Sequence, residues 1–297
     1  MKEKKLLTKY GCYEKSSKNG KINNCCLLWV QDDADMVSFI KKNGIKDIEG
    51  FYKIEWSESS YNSNYQRLRT ICNSKLNSDN ADILQKSKLY FIVFKGDLEE
   101  NNFIIDIDLG VEKVNPFLIN IETKLINNPI VVDCIFSHNA YEYHALLNLV
   151  LGYQKFRESN LSSLKTTLKP KLVSKDIEGS SGWCDLSTLF NILNLSCNWL
   201  VLRNYEELSN DYVFENGDDI DILCENNEKL VAIVNAQERA GGRCAYMVNI
   251  KNMTVLLDIR FIGDKYYDPA WEKDMLNKKE YRGVIPVLSN YNYFFAL

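Results

Sequence analysis

Two aspartates separated by one apolar residue, Asp219-Ile220-Asp221, open a run that continues as Ile222-Leu223-Cys224. In an extended chain successive side chains point to opposite faces, so Asp219 and Asp221 share one face and Ile220 and Ile222 the other. Adjacent carboxylates repel and raise each other's pKa unless positive charge stands between them, and a divalent cation commonly supplies it. A second apolar run with an embedded carboxylate follows, Val255-Leu256-Leu257-Asp258-Ile259-Arg260. If the two runs pair as strands, Asp258 completes a set of three carboxylates. Phosphoryl and nucleotidyl transfer use such sets, because Mg2+ or Mn2+ on carboxylate oxygens neutralises the charge on phosphate oxygens. Asp219, Asp221 and Asp258 are therefore the candidate metal ligands, and Asp258 is also the candidate catalytic base. Arg260, two residues beyond Asp258 on the same strand face, offers a guanidinium to phosphate. Arg239 and Arg243 are close in sequence, but surface ion pairing accounts for them equally well.

The elements that must hold these residues read clearly from periodicity. Residues 184–195 form an apolar helix, 198–203 a strand, and a polar loop leads to the acidic strand at 219–224. A helix over 227–237 and a glycine-containing turn at 238–242 precede a hairpin, 243–250 and 254–261, joined through Lys251-Asn252-Met253. The first half alternates strands at 25–30, 51–57, 90–95, 103–109 and 131–136 with helices at 35–43, 62–74, 115–126 and 140–151. This pattern predicts an α+β fold. Residues 152–182 change character: they are rich in Ser, Lys and Thr, contain Pro170 and end in Gly179-Ser180-Ser181-Gly182. The expected organisation is a first domain at 1–152, a linker at 153–182 and a second domain at 183–297. The apolar ending Tyr293-Phe294-Phe295-Ala296-Leu297 raises the expectation that the second domain is truncated and continues beyond Leu297.

The order helix, strand, loop, acidic strand, helix and hairpin with a third aspartate, over residues 182–260, resembles the polymerase-beta-like nucleotidyltransferase superfamily. The resemblance implies a mixed-sheet domain, Mg2+ or Mn2+ on Asp219, Asp221 and Asp258, and a nucleotide donor. Leu202-Arg203-Asn204 stands where many members carry a glycine pair for the triphosphate, which makes Arg203 and Asn204 the candidate phosphate-binding residues. Gly217-Asp218-Asp219-Ile220-Asp221-Ile222 is also similar to the acidic core of the LicD/fukutin-like phosphotransferases. That alternative implies transfer of a phosphorylated alcohol from a CDP-linked donor to a glycan, although Glu215-Asn216-Gly217 replaces the Pro-Trp of those enzymes. A third reading is a non-catalytic binding or regulatory protein built on a degenerate transferase fold. The acceptor is not legible.

The first half weakly resembles the nucleoside-diphosphate kinase fold, a ferredoxin-like α/β sandwich. Ile135-Phe136-Ser137-His138-Asn139 occupies the stretch of the phosphorylated histidine, with Ile135 at the histidine's position. Isoleucine accepts no phosphoryl group, so this half is expected to be a scaffold or acceptor-binding platform. His138 begins a helix and is expected to serve structure, and His144 to pack along an apolar helix. A second acidic pair, Asp106 and Asp108 in 103–109, reads as a half-exposed strand.

Composition narrows the partners. The 297 residues are 45% hydrophobic and 26% charged, with a net charge of −4, which argues against nucleic acid as the main partner. Nine cysteines without a C-x-x-C spacing read as reduced thiols of a cytoplasmic protein, with Cys72, Cys134 and Cys224 behaving as small hydrophobes. No apolar run reaches the roughly 18 residues of a membrane span, and residues 1–7 lack a signal-peptide core.

Overall fold

The computed structural model describes residues 21–31, 36–74, 81–97, 104–106, 112–114, 116–153, 169–206, 208, 218–241 and 244–296. The chain divides into two compact units, Met1–Ile177 and Glu178–Leu297. The fold is mixed α+β, with a mixed sheet in each unit.

The first unit runs β1 (Lys21–Val30), α1 (Met36–Lys42), β2 (Asp47–Glu55), α2 (Tyr61–Ile71), α3 (Ala81–Lys86) and β3 (Lys88–Asp97). A short hairpin, β4 (Ile104–Asp106) and β5 (Glu112–Val114), leads to α4 (Pro116–Ile126), β6 (Val131–Phe136), α5 (Ala140–Leu151) and β7 (Lys171–Ser174). The main sheet has the order β6-β1-β3-β2-β7 and is antiparallel except at β2 and β7. Cys25 to Val30 of β1 are all fully buried. An unbroken apolar run suits a central strand that is covered on both faces. Cys26, Leu28 and Val30 join a core with Met36, Ile40, Leu118 and Ile121 from α1 and α4. Trp29 points to the other face, where its ring meets Tyr65 edge-on at 5.4 Å.

The expected strand at 103–109 is realised over Ile104–Asp106, and Asp108 lies outside the described residues. The expected linker needs a larger correction. Within it, Lys171–Ser174 joins the first sheet as a parallel partner of β2, with only Val173 buried. An edge strand with one buried side chain carries no alternating apolar signal, which is why this stretch read as a linker. Residues 154–168 lie outside the described residues.

Gly179-Ser180-Ser181-Gly182 forms a tight turn of the second unit, closed by Gly182 N–H donating to Gly179 O at 3.2 Å. Gly179 has φ +77°, and a Cβ there would lie 2.6 Å from the indole of Trp183. That indole is 3% exposed and donates from Nε1 to Val234 O at 2.7 Å. Glycine is required because the ring lies flat against the backbone.

The second unit continues with α6 (Leu186–Ser196), β8 (Trp199–Val201), β9 (Asp219–Cys224), α7 (Asn227–Val234), β10 (Gln237–Glu238), β11 (Tyr246–Ile250) and β12 (Met253–Phe261). Asp185 caps α6 by accepting from Thr188 N at 2.6 Å. Lys251 and Asn252, at φ +51° and +64°, make the two-residue turn between β11 and β12. Beyond the hairpin come α8 (Pro269–Asn277), β13 (Glu280–Arg282), β14 (Ile285–Val287) and α9 (Asn290–Ala296). The seven strands take the order β10-β11-β12-β9-β8-β14-β13, with β9 parallel to β12 and antiparallel to β8. Among the described residues no cysteine is in a disulfide, and no helix is long and apolar enough to cross a membrane.

Candidate metal centre

The centre is a product of register. Parallel pairing sets Asp221 opposite Asp258 and Asp219 opposite Leu256. Asp219, Asp221 and Leu223 share one face of β9. That face turns from acidic to apolar at Leu223, which packs with Leu200, Leu202, Met275, Leu276 and Leu288. One carboxylate oxygen from each of Asp219, Asp221 and Asp258 lies within 4.8 Å of the others. Asp221 is 4% exposed and Asp258 7%. At this separation each pair of charges repels by roughly 3 kcal/mol at an effective dielectric of about 20.

Each carboxylate has its own hydrogen-bonding neighbour. Arg203 grips Asp221 at two points, Nε to Oδ2 and Nη2 to Oδ1, both at 2.7 Å. These bonds push the guanidinium pKa further up, so Arg203 is charged throughout the working pH range. Arg260 donates from Nη2 to Asp258 Oδ2 at 3.1 Å, and its Cζ stands 4.1 Å from the centre of the Tyr266 ring. The Cys244 thiol donates to Asp219 Oδ2 at 3.3 Å.

A pocket of about 340 Å3, its open mouth included, lies over this network and is lined by Leu202, Arg203, Asp221, Asp258, Arg260, Tyr266, Tyr267 and Tyr293. The loop carrying Tyr266 and Tyr267 is anchored near its start and braced within. Gly263 N–H donates to the buried Glu272 at 2.8 Å, and Tyr266 N–H to Asp264 at 2.8 Å. Tyr267 stacks edge-on against Trp271 at 4.9 Å, and burial pushes its hydroxyl pKa up.

The three aspartates, Arg203 and Arg260 are thus gathered at one place. Asn204 is exposed and does not line the pocket. Its φ of +56° lies in the left-handed region that favours glycine. Arg239 is exposed and outside the pocket, and Arg243 lies outside the described residues. The sequence reading missed Leu202, Cys244, Tyr266, Tyr267 and Tyr293. The adjacent tyrosines between the strand of Asp258 and Asp268-Pro269 were the available signal. For Cys244 and Tyr293 there was none.

In the first unit the kinase-like positions are structural. Ile135 is fully buried, and Ser137 ties β6 to β1 by exchanging hydrogen bonds with the Cys25 backbone at 3.0 and 3.2 Å. His138 lies between Glu122, 3.0 Å from Nε2, and Glu142, 3.5 Å from Nδ1. Burial alone would lower the His138 pKa, but the bonds to Glu122 and Glu142 outweigh it and push the value up to about 10. Asn139, not His138, caps α5 by accepting from Glu142 N at 2.9 Å. His144 is 9% exposed, its ring edge-on to Tyr143.

The donor set fits a hard divalent cation, since all three groups are carboxylates. Among the described residues, three carboxylates against two paired guanidinium groups leave one negative charge. No family model, curated protein or solved structure matches the chain.

Proposed function

We propose that the second unit is a divalent-metal-dependent nucleotidyltransferase of the polymerase-beta-like type, acting on an acceptor the sequence does not identify. The observation that carries this reading is the parallel register of β9 and β12, which brings Asp221, Asp258 and Asp219 within 4.8 Å of one another, with Asp221 and Asp258 lining a pocket. Asp219, Asp221 and Asp258 would hold Mg2+ or Mn2+, which when bound supplies the neutralising charge for a donor's phosphate oxygens. Asp258 accepts the proton of the attacking hydroxyl. Arg260 orients Asp258 and presents its remaining N–H donors to phosphate. Tyr266, Tyr267 and Tyr293 form the wall against which the donor's planar part lies.

The first unit supports this as a scaffold or acceptor platform. Its β6-β1-β3-β2 order, antiparallel throughout, is consistent with a ferredoxin-like sandwich bearing two extra helices between β2 and β3.

A thermal-shift panel of nucleoside triphosphates and CDP-alcohols with Mg2+ tests the reading. A ligand present at 100 times its Kd stabilises by about 2.7 kcal/mol. The expected outcome is Mg2+-dependent stabilisation by a triphosphate, lost in Asp219→Asn and Asp221→Asn. Stabilisation by a CDP-alcohol alone would move the assignment to the LicD/fukutin-like type.

One observation favours a second reading. Arg203 already engages both oxygens of Asp221. A central carboxylate already engaged by its own arginine suits a non-catalytic binding protein, and an empty panel would make that the better description.

A further inference from the structure

The two arginines treat their carboxylates differently. Arg203 closes a planar fork on Asp221, and both contacts are short, charge-assisted bonds. Arg260 makes one longer bond to Asp258 and divides its guanidinium between that carboxylate and the face of Tyr266. Their origins differ too. Arg203 sits just past the end of β8, on the side of β9 away from β12, whereas Arg260 belongs to the strand that carries Asp258.

Asp221 is the central carboxylate, with Asp219 on its own strand and Asp258 opposite. A cation held by all three groups must draw on Asp221, whose oxygens are the ones the Arg203 fork engages. Arg203 has the means to withdraw: its side chain is 38% exposed, it lines the pocket, and the loop it opens turns at once through Asn204.

We infer that Arg203 is a resident counter-ion of the metal position, competing with the divalent cation for Asp221 and leaving that carboxylate when the cation binds. The inference rests on the metal-dependent reading above. It makes Arg203 a regulator of metal affinity, not a ligand: the fork keeps Asp221 compensated while the metal is absent and weakens metal binding by the strength of the fork. Three carboxylates with two arginines carry a formal charge of −1, and a bound divalent ion turns this to +1. A guanidinium released into the pocket adds to a site already suited to an anion.

The test is Mn2+ binding to the full chain, followed by the loss of free Mn2+ electron-paramagnetic signal, in wild type and in Arg203→Gln, Arg203→Lys, Arg260→Gln and Asp221→Asn. Arg203→Gln is expected to tighten Mn2+ binding at least tenfold. Arg203→Lys keeps the charge but cannot form the fork, and is expected to tighten binding by several fold. Arg260→Gln removes the same charge from a looser pair and should change affinity less than Arg203→Gln. Equal or weaker binding in Arg203→Gln would overturn the exchange while leaving the metal site standing. Tightening in Arg203→Gln and Arg260→Gln alike, with Arg203→Lys at the wild-type value, would reduce the effect to general charge and also overturn it. If neither wild type nor Arg203→Gln binds Mn2+, and Asp221→Asn is indistinguishable from both, the metal reading itself fails.

Discussion

Asp221 lies directly opposite Asp258 on a parallel neighbouring strand, and the two buried carboxylates face the same pocket. Like charges directly across a sheet are destabilising, so this pairing works against the fold and asks for a chemical reason. The compensating arginines supply part of it. The remaining negative charge is what a divalent cation would use.

Asp258→Asn should therefore stabilise the protein when divalent ions are absent. The change relieves repulsion of roughly 3 kcal/mol from each nearby carboxylate. It loses a single 3.1 Å contact to a partly exposed arginine, worth at most about 1 kcal/mol. Arg260 keeps its place over Tyr266. Unfolding in EDTA should show a gain of about 1–2 kcal/mol after relaxation, while added Mn2+ should no longer raise the midpoint. A loss of stability in EDTA would mean that the Arg260 contact outweighs the repulsion.

The pH profile of the first unit should carry the signature of His138. Its folded pKa of about 10 lies above the ordinary value of 6.5. The folded state thus binds the proton more tightly than the unfolded chain, and this contribution is fully present below about pH 6.5. It is lost as pH rises from there through about 10. His138→Gln should flatten the decline between pH 7 and 10, and a wild-type profile with no alkaline decline beyond that of His138→Gln would refute the assignment.

Gly179→Ala should destabilise the second unit by about 2–4 kcal/mol, as a strained backbone and an overpacked contact act together. The added Cβ would lie 2.6 Å from the Trp183 ring at a φ of +77°. The indole is pinned by its bond to Val234 O, so it cannot move aside freely. Tryptophan fluorescence during denaturation reads this out, and a wild-type midpoint would contradict the packing described here.

Thiol reactivity should be uneven. Cys25, Cys26, Cys72, Cys134, Cys224 and Cys244 are buried, while Cys184 is exposed. Burial, and contact with Asp185 to a lesser degree, raise the Cys184 pKa despite a countering bond to Thr188, so its reaction should quicken steadily above neutral pH. Cys184→Ser should remove one readily titrated equivalent from a reaction with an aromatic disulfide. An unchanged count would place Cys184 under cover.

Much of this was legible in the chain because local periodicity matched tertiary burial. The strand at 131–136 and the helix at 140–151 form with the expected bounds, and Asp219 and Asp221 share a face because alternation requires it. Asp258 needed more than periodicity, since only the element order hinted that its strand would neighbour β9. The fork of Arg203 on Asp221 was hidden because it depends on β8 lying antiparallel beside β9, a long-range pairing with no local mark. Lys171–Ser174 was missed for want of apolar alternation. The chain beyond β12 went unassigned although Asp268-Pro269 is a plain helix start, with Asp268 accepting from Ala270 N at 2.9 Å.

The parallel pairing of β9 with β12 also constrains how the protein is made. Parallel neighbours cannot be joined by a tight turn, so α7, β10 and β11 must be synthesised before Asp258 can reach its partners. Until then the chain carries an acidic strand without its third carboxylate. A divalent ion that needs all three carboxylates could therefore be held only by the finished unit, after this long-range contact has closed. A product that stopped short of Met253 would hold both residues of the acidic pair and lack the carboxylate that stands opposite Asp221.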